Sequence, residues 1–375
     1  MQKCLRLKFK KNMPLKKVLK PEEIERRNKL KQEKPLVYEK IQKFEKMIKS
    51  GKSVAIVRVE HSYQCNFSCE HCCITELRQP GVAPAMMDPV NIKNLADQAD
   101  AYGLARWVIT GGEPLIFSNL EEIVKAIGPE RFYISSDTNG WFLDDEKARY
   151  LKKIGIDKVQ ISIDGAFAKV HDGFRRKAGS HERTMKAIDA AKNAGLAVIV
   201  QTVATSQRLR SKEFRDFLKL INDKGVSVYV SFGKPVGAWK GEFGSLITKA
   251  DLKYMKRLEK KYKVFTHLTS SYGIKGSCIA GCGMVSITAG GEVTPCPYMH
   301  ISMGNVLKEP FEDIMKRTMN NRHFGGRVNV CMMAESDENG GPGEFLKKYI
   351  VGRVYPEEKL PVSHVKVFTE EDYVK

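Results

Sequence analysis

Between residues 54 and 231, short hydrophobic runs alternate with longer amphipathic stretches. Strands separated by helices pair in parallel through right-handed crossovers, so the C-terminal ends of the strands meet at one rim. Folds of this kind keep their active sites at that rim. The predicted strands cover residues 54–59, 106–110, 132–136, 159–163, 197–203 and 226–231, and the predicted helices cover residues 90–102, 120–127, 146–154, 182–194 and 211–224. The alternation therefore predicts an α/β fold built on a six-stranded parallel sheet.

Three cysteines, Cys65, Cys69 and Cys72, follow the first predicted strand in the run CNFSCEHC. Three thiolates at this spacing can occupy three corners of a 4Fe-4S cluster and leave one iron open. A fully ligated cluster mainly passes electrons, whereas an open iron can hold a reactant. A structural zinc knuckle is the alternative, but it requires a nearby fourth ligand. Cys73 is adjacent to Cys72, so we expect it to point away as a buried spare thiol.

The composition favours a soluble, cytoplasmic enzyme. A chain of 375 residues with 42% hydrophobic content can bury a large core. No stretch approaches about 18 uncharged apolar residues, and the N-terminus lacks the apolar segment of a secretory signal. The nine cysteines fall into tight local sets, which favours reduced metal ligands over a disulfide framework.

The net charge of +19 is concentrated in residues 1–52, and residues 1–20 contain no acid. This segment is predicted to be a solvated, partly helical basic arm. Apolar side chains at Leu5, Leu7 and Phe9 alternate with basic ones, so a peripheral contact with an anionic membrane is the alternative. This pattern argues against nucleic acid as a partner, because neither an RNA-binding module nor interleaved aromatic residues accompany the basic arm.

Four motifs follow the first four predicted strands in order, namely CNFSCEHC, GGEP (residues 111–114), TNG (residues 138–140) and SIDG (residues 162–165). With these motifs, residues 54–235 resemble the radical S-adenosylmethionine (radical SAM) superfamily. One departure is His71, because an aromatic residue often stands before the last cysteine. The resemblance implies a partial (β/α)6 TIM-like barrel over residues 53–240. It also implies that SAM chelates the open iron and is cleaved reductively to a 5′-deoxyadenosyl radical, which abstracts hydrogen from the substrate.

The resemblance assigns the amino group of SAM to Gly111, Gly112 and Glu113. Glycines let the backbone approach a ligand closely, and a carboxylate accepts hydrogen bonds from an ammonium. Asn139 and Ser162 resemble residues that contact the ribose or the methionine part of SAM.

Two further SAM contacts are predicted with competing interpretations. Arg175 is the predicted partner of the SAM carboxylate, because a guanidinium can bind a carboxylate bidentately. Arg176 and Arg183 compete for this role, and a solvated helix face explains any of the three as well. Gln201, on the fifth predicted strand, either reaches the ribose or caps the barrel interior.

A second set of cysteines lies beyond the barrel, at Cys278, Cys282, Cys296 and Cys331. Residues 285–288 and 292–294 flank Gly290 and Gly291, which predicts a β-hairpin. The set resembles a SPASM or twitch domain, which implies a small α+β domain over residues 241–336.

The number of cysteines in that domain allows one auxiliary 4Fe-4S cluster. Four ligands would make electron transfer its task, whereas a free Cys282 or Cys331 would leave an iron open for substrate. A zinc ribbon with four cysteine ligands is the alternative. Tyr298 and His300 are interpreted as packing residues beside this cluster rather than as substrate contacts.

Several substrate classes fit the sequence. The favoured one is a small-molecule or lipid-like substrate, and the next is a ribosomally made peptide, although the N-terminal arm is too short and basic for a leader-binding module. The alternative from a different functional class is a basic RNA-binding protein whose clusters are structural. A C-terminal extension is predicted over residues 337–375. Residues 232–248 and residues 340–375 of that extension are expected to close the barrel mouth. A flavodoxin- or ferredoxin-type electron donor is implied as a partner.

Overall fold

The computed structural model describes residues 21–78, 87–269, 277–325, 330–337, 341–350 and 368–373. Among these residues, no helix combines the length and the apolar character needed to cross a membrane. The helices are α1 (Pro21–Glu33), α2 (Pro35–Gln42), α3 (Phe44–Lys49), α4 (Pro89–Tyr102), α5 (Leu120–Ile127), α6 (Asp145–Ile154), α7 (Ala168–Arg175), α8 (Ser180–Asn193), α9 (Ser206–Arg210), α10 (Lys212–Asp223), α11 (Lys249–Lys261) and α12 (Phe311–Asn320).

The predicted parallel sheet is confirmed. Each of its strands pairs in parallel with the next one along the chain. The strands are β1 (Ile56–Ser62), β2 (Arg106–Gly111), β3 (Tyr133–Thr138), β4 (Lys158–Ser162), β5 (Ala197–Ala204) and β6 (Ser227–Phe232). The first strand starts later than predicted, at Ile56. It also ends later, because the ladder with β2 runs as far as Ser62.

Local capping explains where the barrel helices begin. The Asp88 side chain accepts a hydrogen bond from the Asn91 amide at 2.7 Å, and Pro89 occupies the first helical position of α4. The hydroxyl of Ser211 caps α10 in the same way, with the Phe214 amide at 3.0 Å. These caps fix the helix starts at the rim where the preceding strands end, as the Met87 amide shows by donating to the His61 carbonyl at the end of β1 at 3.3 Å.

The two faces of the strands differ sharply. One face packs against the helices with fully buried apolar side chains such as Val57, Ile109 and Val159. The alternate residues point to the other face, where Arg58 and Asp137 form an ion pair at 2.7 Å. TIM barrels usually fill their interior with apolar layers. The interior of this barrel, hereafter the lumen, is instead polar.

Within the described residues, the sheet continues past the six predicted strands to a total of ten. After α11, strand β7 (Val264–Thr266) pairs in parallel with β6. The helix–strand repeat therefore extends beyond residue 240, where the barrel was predicted to end. At the opposite edge, β8 (Met284–Ile287) pairs in parallel with β1, followed by β9 (Glu292–Thr294) and β10 (Gly304–Asn305).

The hairpin predicted after Cys278 and Cys282 is confirmed, because β8 and β9 pair antiparallel with Ser286 opposite Thr294. The sequence did not predict that β8 joins the barrel sheet. That pairing joins residues more than 220 positions apart, such as Ile56 and Met284, and no local pattern encodes it.

The N-terminal region differs from the predicted solvated arm. Lys34 Nζ lies 2.5 Å from Asp157 and donates to the Phe132 carbonyl at 3.0 Å. Val37 and Phe44 are buried together with residues that precede the strands. Helices α2 and α3 therefore pack beneath the N-terminal ends of the strands. Residues 1–20, including those of the suggested membrane contact, lie outside the described residues.

The described part of the C-terminal extension packs against the end of α12. Asp372 accepts hydrogen bonds from the Tyr349 hydroxyl at 2.6 Å and from Arg322 at 2.7 Å. The bridge between Asn321 and Tyr373 joins this segment to the end of α12. None of residues 341–350 and 368–373 lines the cavity at the strand ends, and closure of the mouth by the extension stays a prediction.

Candidate active site

A cavity of about 1120 Å³, including the part that opens to solvent, lies at the C-terminal ends of the barrel strands. It brings together every residue that the sequence predicted for the first cluster and for SAM. These are Cys65, Cys69, Cys72, Gly111, Gly112, Glu113, Asn139, Ser162, Arg175 and Gln201. Their convergence follows largely from the parallel sheet, because most of them stand at or just beyond the end of a strand. Gln201 reaches the cavity from within β5, and Arg175 reaches it from the end of α7.

The cysteine loop is fixed by its own backbone. Arg78 donates to the carbonyl of Phe67 at 2.8 Å and to that of Cys65 at 3.2 Å. The Cys72 carbonyl accepts from the amide of Ala238, in the loop after β6, at 2.9 Å. Gly237 is required there, because a Cβ at this position would lie 2.2 Å from the Cys72 carbonyl oxygen. The loop after β6 therefore holds the cysteine loop over the cavity.

The three thiols are partly buried and line one cavity. Burial raises the pKa of Cys65 to about 11 and also raises the pKa of Cys69, so both are thiols until iron displaces the proton. Among the described residues, no group of three His, Cys, Asp or Glu side chains could hold a single metal ion. Cluster thiolates bind separate irons at separate corners, and the three thiols line one cavity, as that arrangement requires.

Cys73 differs from the buried spare thiol that was predicted. It is only partly buried and lines the same cavity as the three cluster cysteines. The Cys72 thiol has the largest electrostatic effect on the Cys73 thiol, followed by the charged groups of Glu60, Arg58 and Lys234. Cys73 therefore belongs to the lumen.

Two glycines of the GGEP motif join the end of β2 to the cysteine loop. The Gly112 amide donates to the Ser62 carbonyl at 2.7 Å. A Cβ at Gly112 would lie 1.8 Å from the Gln64 carbonyl oxygen, and one at Gly111 would lie 2.2 Å from that of Ser62. Gly111 also adopts a φ of 123°, in the region that favours glycine. These glycines are therefore needed for backbone packing beneath the cluster loop as well as for ligand approach.

Glu113 is a buried carboxylate held by three donors. The Thr138 hydroxyl and the Leu115 amide donate to Oε1 at 2.6 and 3.1 Å, and the Asn139 amide donates to Oε2 at 2.7 Å. Burial raises the pKa of Glu113 to about 7, and the three hydrogen bonds oppose that rise. Oε2 retains acceptor capacity, so a cationic group such as an ammonium would complete its coordination and favour ionisation.

Arg175 is engaged differently from the prediction. Its Nη2 lies 2.5 Å from Asp164 Oδ2, and its Nη1 donates to Cys69 Sγ at 3.7 Å. Burial opposes ionisation of Asp164, but Arg175 holds the pKa of that carboxyl below its usual range. A bidentate bond from Arg175 to a ligand carboxylate would have to displace one of these contacts. Arg175 as a SAM carboxylate partner stays a prediction.

The two competing arginines lie elsewhere. Arg176 is exposed at the C-terminal end of α7. The Arg183 guanidinium lies 4.2 Å from the ring centre of Trp141, which Lys177 Nζ approaches at 4.7 Å. Neither competing arginine lines the cavity.

The remaining predicted contacts sit in a network of amides. Asn139 donates from Nδ2 to Asn66 Oδ1 at 2.8 Å, which ties the third strand end to the cysteine loop. Gln201 accepts from the Gln160 side chain, so it caps the polar interior in this structure. His71 stacks on Phe174 with ring centres 4.5 Å apart. The ring of His71 thus fills the position of the expected aromatic residue.

The structure reveals lumen residues that the sequence analysis missed. Arg58 donates to Asp137 at 2.7 Å and to the Thr110 hydroxyl at 3.2 Å. Burial raises the pKa of Glu60 to about 7 and lowers that of Lys158 to about 8. A charged residue between two valines of a strand, as in Val-Arg-Val at 57–59, is the signal that could have found Arg58.

The auxiliary cysteines form a separate, mostly buried set. Cys278 and Cys331 are buried, and Cys282 and Cys296 are partly buried. The Cys278 thiol is within electrostatic range of the other three, and burial raises its pKa. None of the four lines the cavity, whereas Tyr298, two residues after Cys296, does. His300 does not line the cavity. Tyr298 therefore lies between the lumen and the auxiliary cysteines.

Comparisons with known proteins agree with this fold and site. Residues 59–230 match the family described as "Radical SAM superfamily", and residues 278–341 match "Iron-sulfur cluster-binding domain", the SPASM family. The chain therefore belongs to the radical SAM superfamily and carries a SPASM-type domain. Members of this class are enzymes that use SAM and a 4Fe-4S cluster, and the SPASM domain adds auxiliary iron–sulfur binding.

Individual relatives are distant. The chain is 25% identical to the AdoMet-dependent heme synthase of Nitratidesulfovibrio vulgaris over 299 residues, covering 72% of this chain and 80% of that protein. It is 26% identical to the subtilosin biosynthesis protein AlbA of Bacillus subtilis over 273 residues, covering 68% and 58%. The crystal structure of Streptococcus suis SuiB bound to precursor peptide SuiA aligns with a TM-score of 0.55 at 14% identity, covering 76% of this chain and 69% of that one. This last match shows the fold alone.

Proposed function

We propose that this enzyme abstracts hydrogen from a small anionic substrate, such as a carboxylate, held in the lumen beneath SAM. A SAM-bound cluster supplies a one-electron cleavage that yields a 5′-deoxyadenosyl radical. In this proposal Cys65, Cys69 and Cys72 hold that cluster, and Glu113 orients SAM through its ammonium group. The loop after β6 limits water entry by covering the cysteine loop.

The charge of the lumen carries the choice of substrate class. Arg58 and Lys234 line the cavity, and Lys158, at the start of β4, lies outside that lining but within electrostatic range of Arg58 and Asp137. Within the described residues, Arg58 alone of these three cations has a carboxylate partner at short distance, Asp137. Glu60 and Glu113, the other acids that line the cavity, each have a pKa of about 7 because they are buried, so they are only partly ionised at neutral pH. An excess of buried positive charge is costly unless a ligand compensates it. An anionic substrate would supply that compensation.

Hydrogen transfer identifies the substrate class directly. The reduced holoenzyme is incubated with SAM and with extract from cells grown in deuterated medium, separated into a small-molecule filtrate and a macromolecular fraction. We expect deuterium to appear in 5′-deoxyadenosine with the filtrate. Within the filtrate, anion exchange should deplete the active component. Deuterium transfer from the macromolecular fraction alone would contradict a small-molecule substrate.

The charge of Lys158 can be removed without breaking a salt bridge among the described residues. Within the described residues, no carboxylate forms a salt bridge with it, and its charged neighbours are Arg106, Asp137 and Arg58. We expect Lys158→Met to raise the KM for an anionic substrate about tenfold or more, equivalent to about 1.4 kcal/mol, while SAM binding is unchanged. The exposed Lys256→Met serves as the matched control.

The same lysine predicts a pH dependence. Burial lowers the pKa of Lys158 to about 8, so its positive charge is present below that pH and is lost as the pH rises through it. Substrate affinity of the parent enzyme should therefore fall above about pH 8, and Lys158→Met should lack this limb. An unchanged limb in the variant would assign the titration to another group.

A ribosomally made peptide is the second candidate substrate. The similarity to AlbA, a subtilosin biosynthesis protein, and the fold shared with peptide-bound SuiB favour it. The deuterium experiment separates the two candidates, because a peptide substrate remains in the macromolecular fraction or is destroyed by protease.

The electron source proposed for the first cluster is an acidic flavodoxin- or ferredoxin-type protein. Trp141 stands beside Phe67 of the cysteine loop, with ring centres 5.8 Å apart, and lies between Lys177 and Arg183. A basic, aromatic rim next to the cluster loop suits a negatively charged donor.

A peripheral membrane contact is proposed for residues 1–20 only, because α2 and α3 are part of the folded barrel. We expect the full chain to co-sediment with anionic vesicles at low salt, and a chain lacking residues 1–20 to stay in solution. Equal and negligible sedimentation of both proteins would remove this proposal, and retention of the full chain on RNA but not on vesicles would replace it.

A further inference from the structure

Lys234 lies in the wall between the lumen and the auxiliary cysteines. It follows β6 and is buried, with 6% of its surface exposed. Its Nζ donates to the Ser231 hydroxyl at 3.0 Å and to the Phe232 carbonyl at 2.6 Å. The ammonium also lies 4.0 Å from the ring centre of Tyr298. Its position is therefore fixed by three neutral groups.

Tyr298 completes this wall from the auxiliary side. Its hydroxyl lies 3.1 Å from the Ser231 hydroxyl, so Ser231 contacts both Tyr298 and Lys234. Tyr298 stands two residues after Cys296, and both Tyr298 and Lys234 line the cavity. The wall thus links the end of β6 to the segment that carries an auxiliary cysteine.

The ammonium of Lys234 has no carboxylate within salt-bridge distance in the part of the chain that the structure describes. The groups whose negative charges act on it are the thiols of Cys331, Cys296, Cys73 and Cys278. Burial lowers the pKa of Lys234, and these thiols oppose that effect. When the auxiliary cysteines bind iron as thiolates, they supply the counter-charge that the protein otherwise lacks.

We propose that Lys234 is a positioning residue that sets the reduction potential of the auxiliary cluster. A fixed positive charge beside a cluster stabilises the reduced state, which carries one more negative charge, over the oxidised state. The surrounding wall is buried, so this charge is poorly screened by salt. Lys234 would therefore make the auxiliary cluster a better electron acceptor at the edge of the lumen.

The auxiliary cluster can be observed alone after the first cluster is removed. In a background with Cys65, Cys69 and Cys72 all changed to Ala, the midpoint potential is measured by redox titration with EPR detection. We expect Lys234→Met to shift the reduction equilibrium at least about tenfold toward the oxidised state, a decrease of about 59 mV for one electron. Lys234→Gln, which keeps a hydrogen-bond donor, should shift it in the same direction.

Two matched variants separate charge from packing. Lys234→Arg retains the charge and should leave the potential close to that of the parent. Lys158→Met removes a lumen cation whose charged neighbours include none of the auxiliary cysteines, and it should also leave the potential unchanged.

An unchanged potential in both neutral variants would overturn the proposal. So would a shift in Lys234→Arg as large as that in Lys234→Met, because packing would then be the cause. If neither neutral variant retains auxiliary iron while Lys234→Arg does, the charge serves assembly of the cluster, and a role in setting the potential is rejected.

Discussion

Replacing Cys65, Cys69 and Cys72 together by alanine is expected to abolish SAM cleavage while leaving the auxiliary cluster in place. All three thiols line the cavity that also holds Glu113 and Arg175, whereas none of the auxiliary cysteines does. After anaerobic reconstitution, the parent should carry about eight irons per chain and the triple variant about four. Formation of 5′-deoxyadenosine under strong reductant should fall to background.

The control for this experiment is Cys73→Ala. Cys73 lines the cavity next to Cys72 but has no place in the predicted ligand set, so this variant should retain about eight irons and the ability to cleave SAM. Loss of all iron from the triple variant would contradict independent clusters. A parent protein with about four irons and one zinc would show that the second set is a zinc site and leave the first cluster standing.

Gly112→Ala is expected to disable the site through the backbone alone. The new methyl group would lie 1.8 Å from the Gln64 carbonyl oxygen, so either the cysteine loop or the end of β2 must move. A displacement of about 1 Å at a reaction centre can cost about 100-fold in rate. We therefore expect SAM cleavage to drop by about that factor and SAM affinity to weaken, measured by 5′-deoxyadenosine formation and equilibrium dialysis.

Gly244→Ala is the matched control, because a Cβ at this exposed position meets nothing within 4 Å. It should leave SAM affinity, SAM cleavage and thermal stability unchanged. Parent-like SAM cleavage in Gly112→Ala would show that the loop can yield at no cost, and would remove the structural role assigned to the two glycines.

Local patterns in the sequence were sufficient to predict most of the barrel and the composition of the cavity. Strand and helix periodicity is short-ranged, and parallel pairing brings every strand end to one rim, so Gly112, Asn139 and Ser162 could be placed together without a structure. The glycine roles were only partly foreseen. That Gly112 packs against Gln64 depends on a contact between the loops that follow β2 and β1, which the motif alone does not reveal.

The features that could not be predicted depend on contacts between segments that are distant in the sequence. The pairing of β8 with β1 and the packing of α2 under the barrel depend on contacts between distant segments. Arg175 was assigned by its chemistry, but its ion pair with Asp164 follows from the orientation of α7 over β4. Lys234 carries no motif at all, and its position beside the auxiliary thiols appears only when the loop after β6 meets the segment following Cys296.

Strand β1 is hydrogen-bonded along both edges, to β2 on one side and to β8 on the other. The strand that leads into the first cysteine loop therefore also pairs with the β8–β9 hairpin, which lies between Cys282 and Cys296. Electron tunnelling rates fall steeply with distance, and here that distance is set by a ladder of backbone hydrogen bonds. Shifting the register by one residue would move the hairpin by about 3.3 Å and turn its side chains to the opposite face. We therefore expect the spacing between the two metal sites to change only in whole-residue steps.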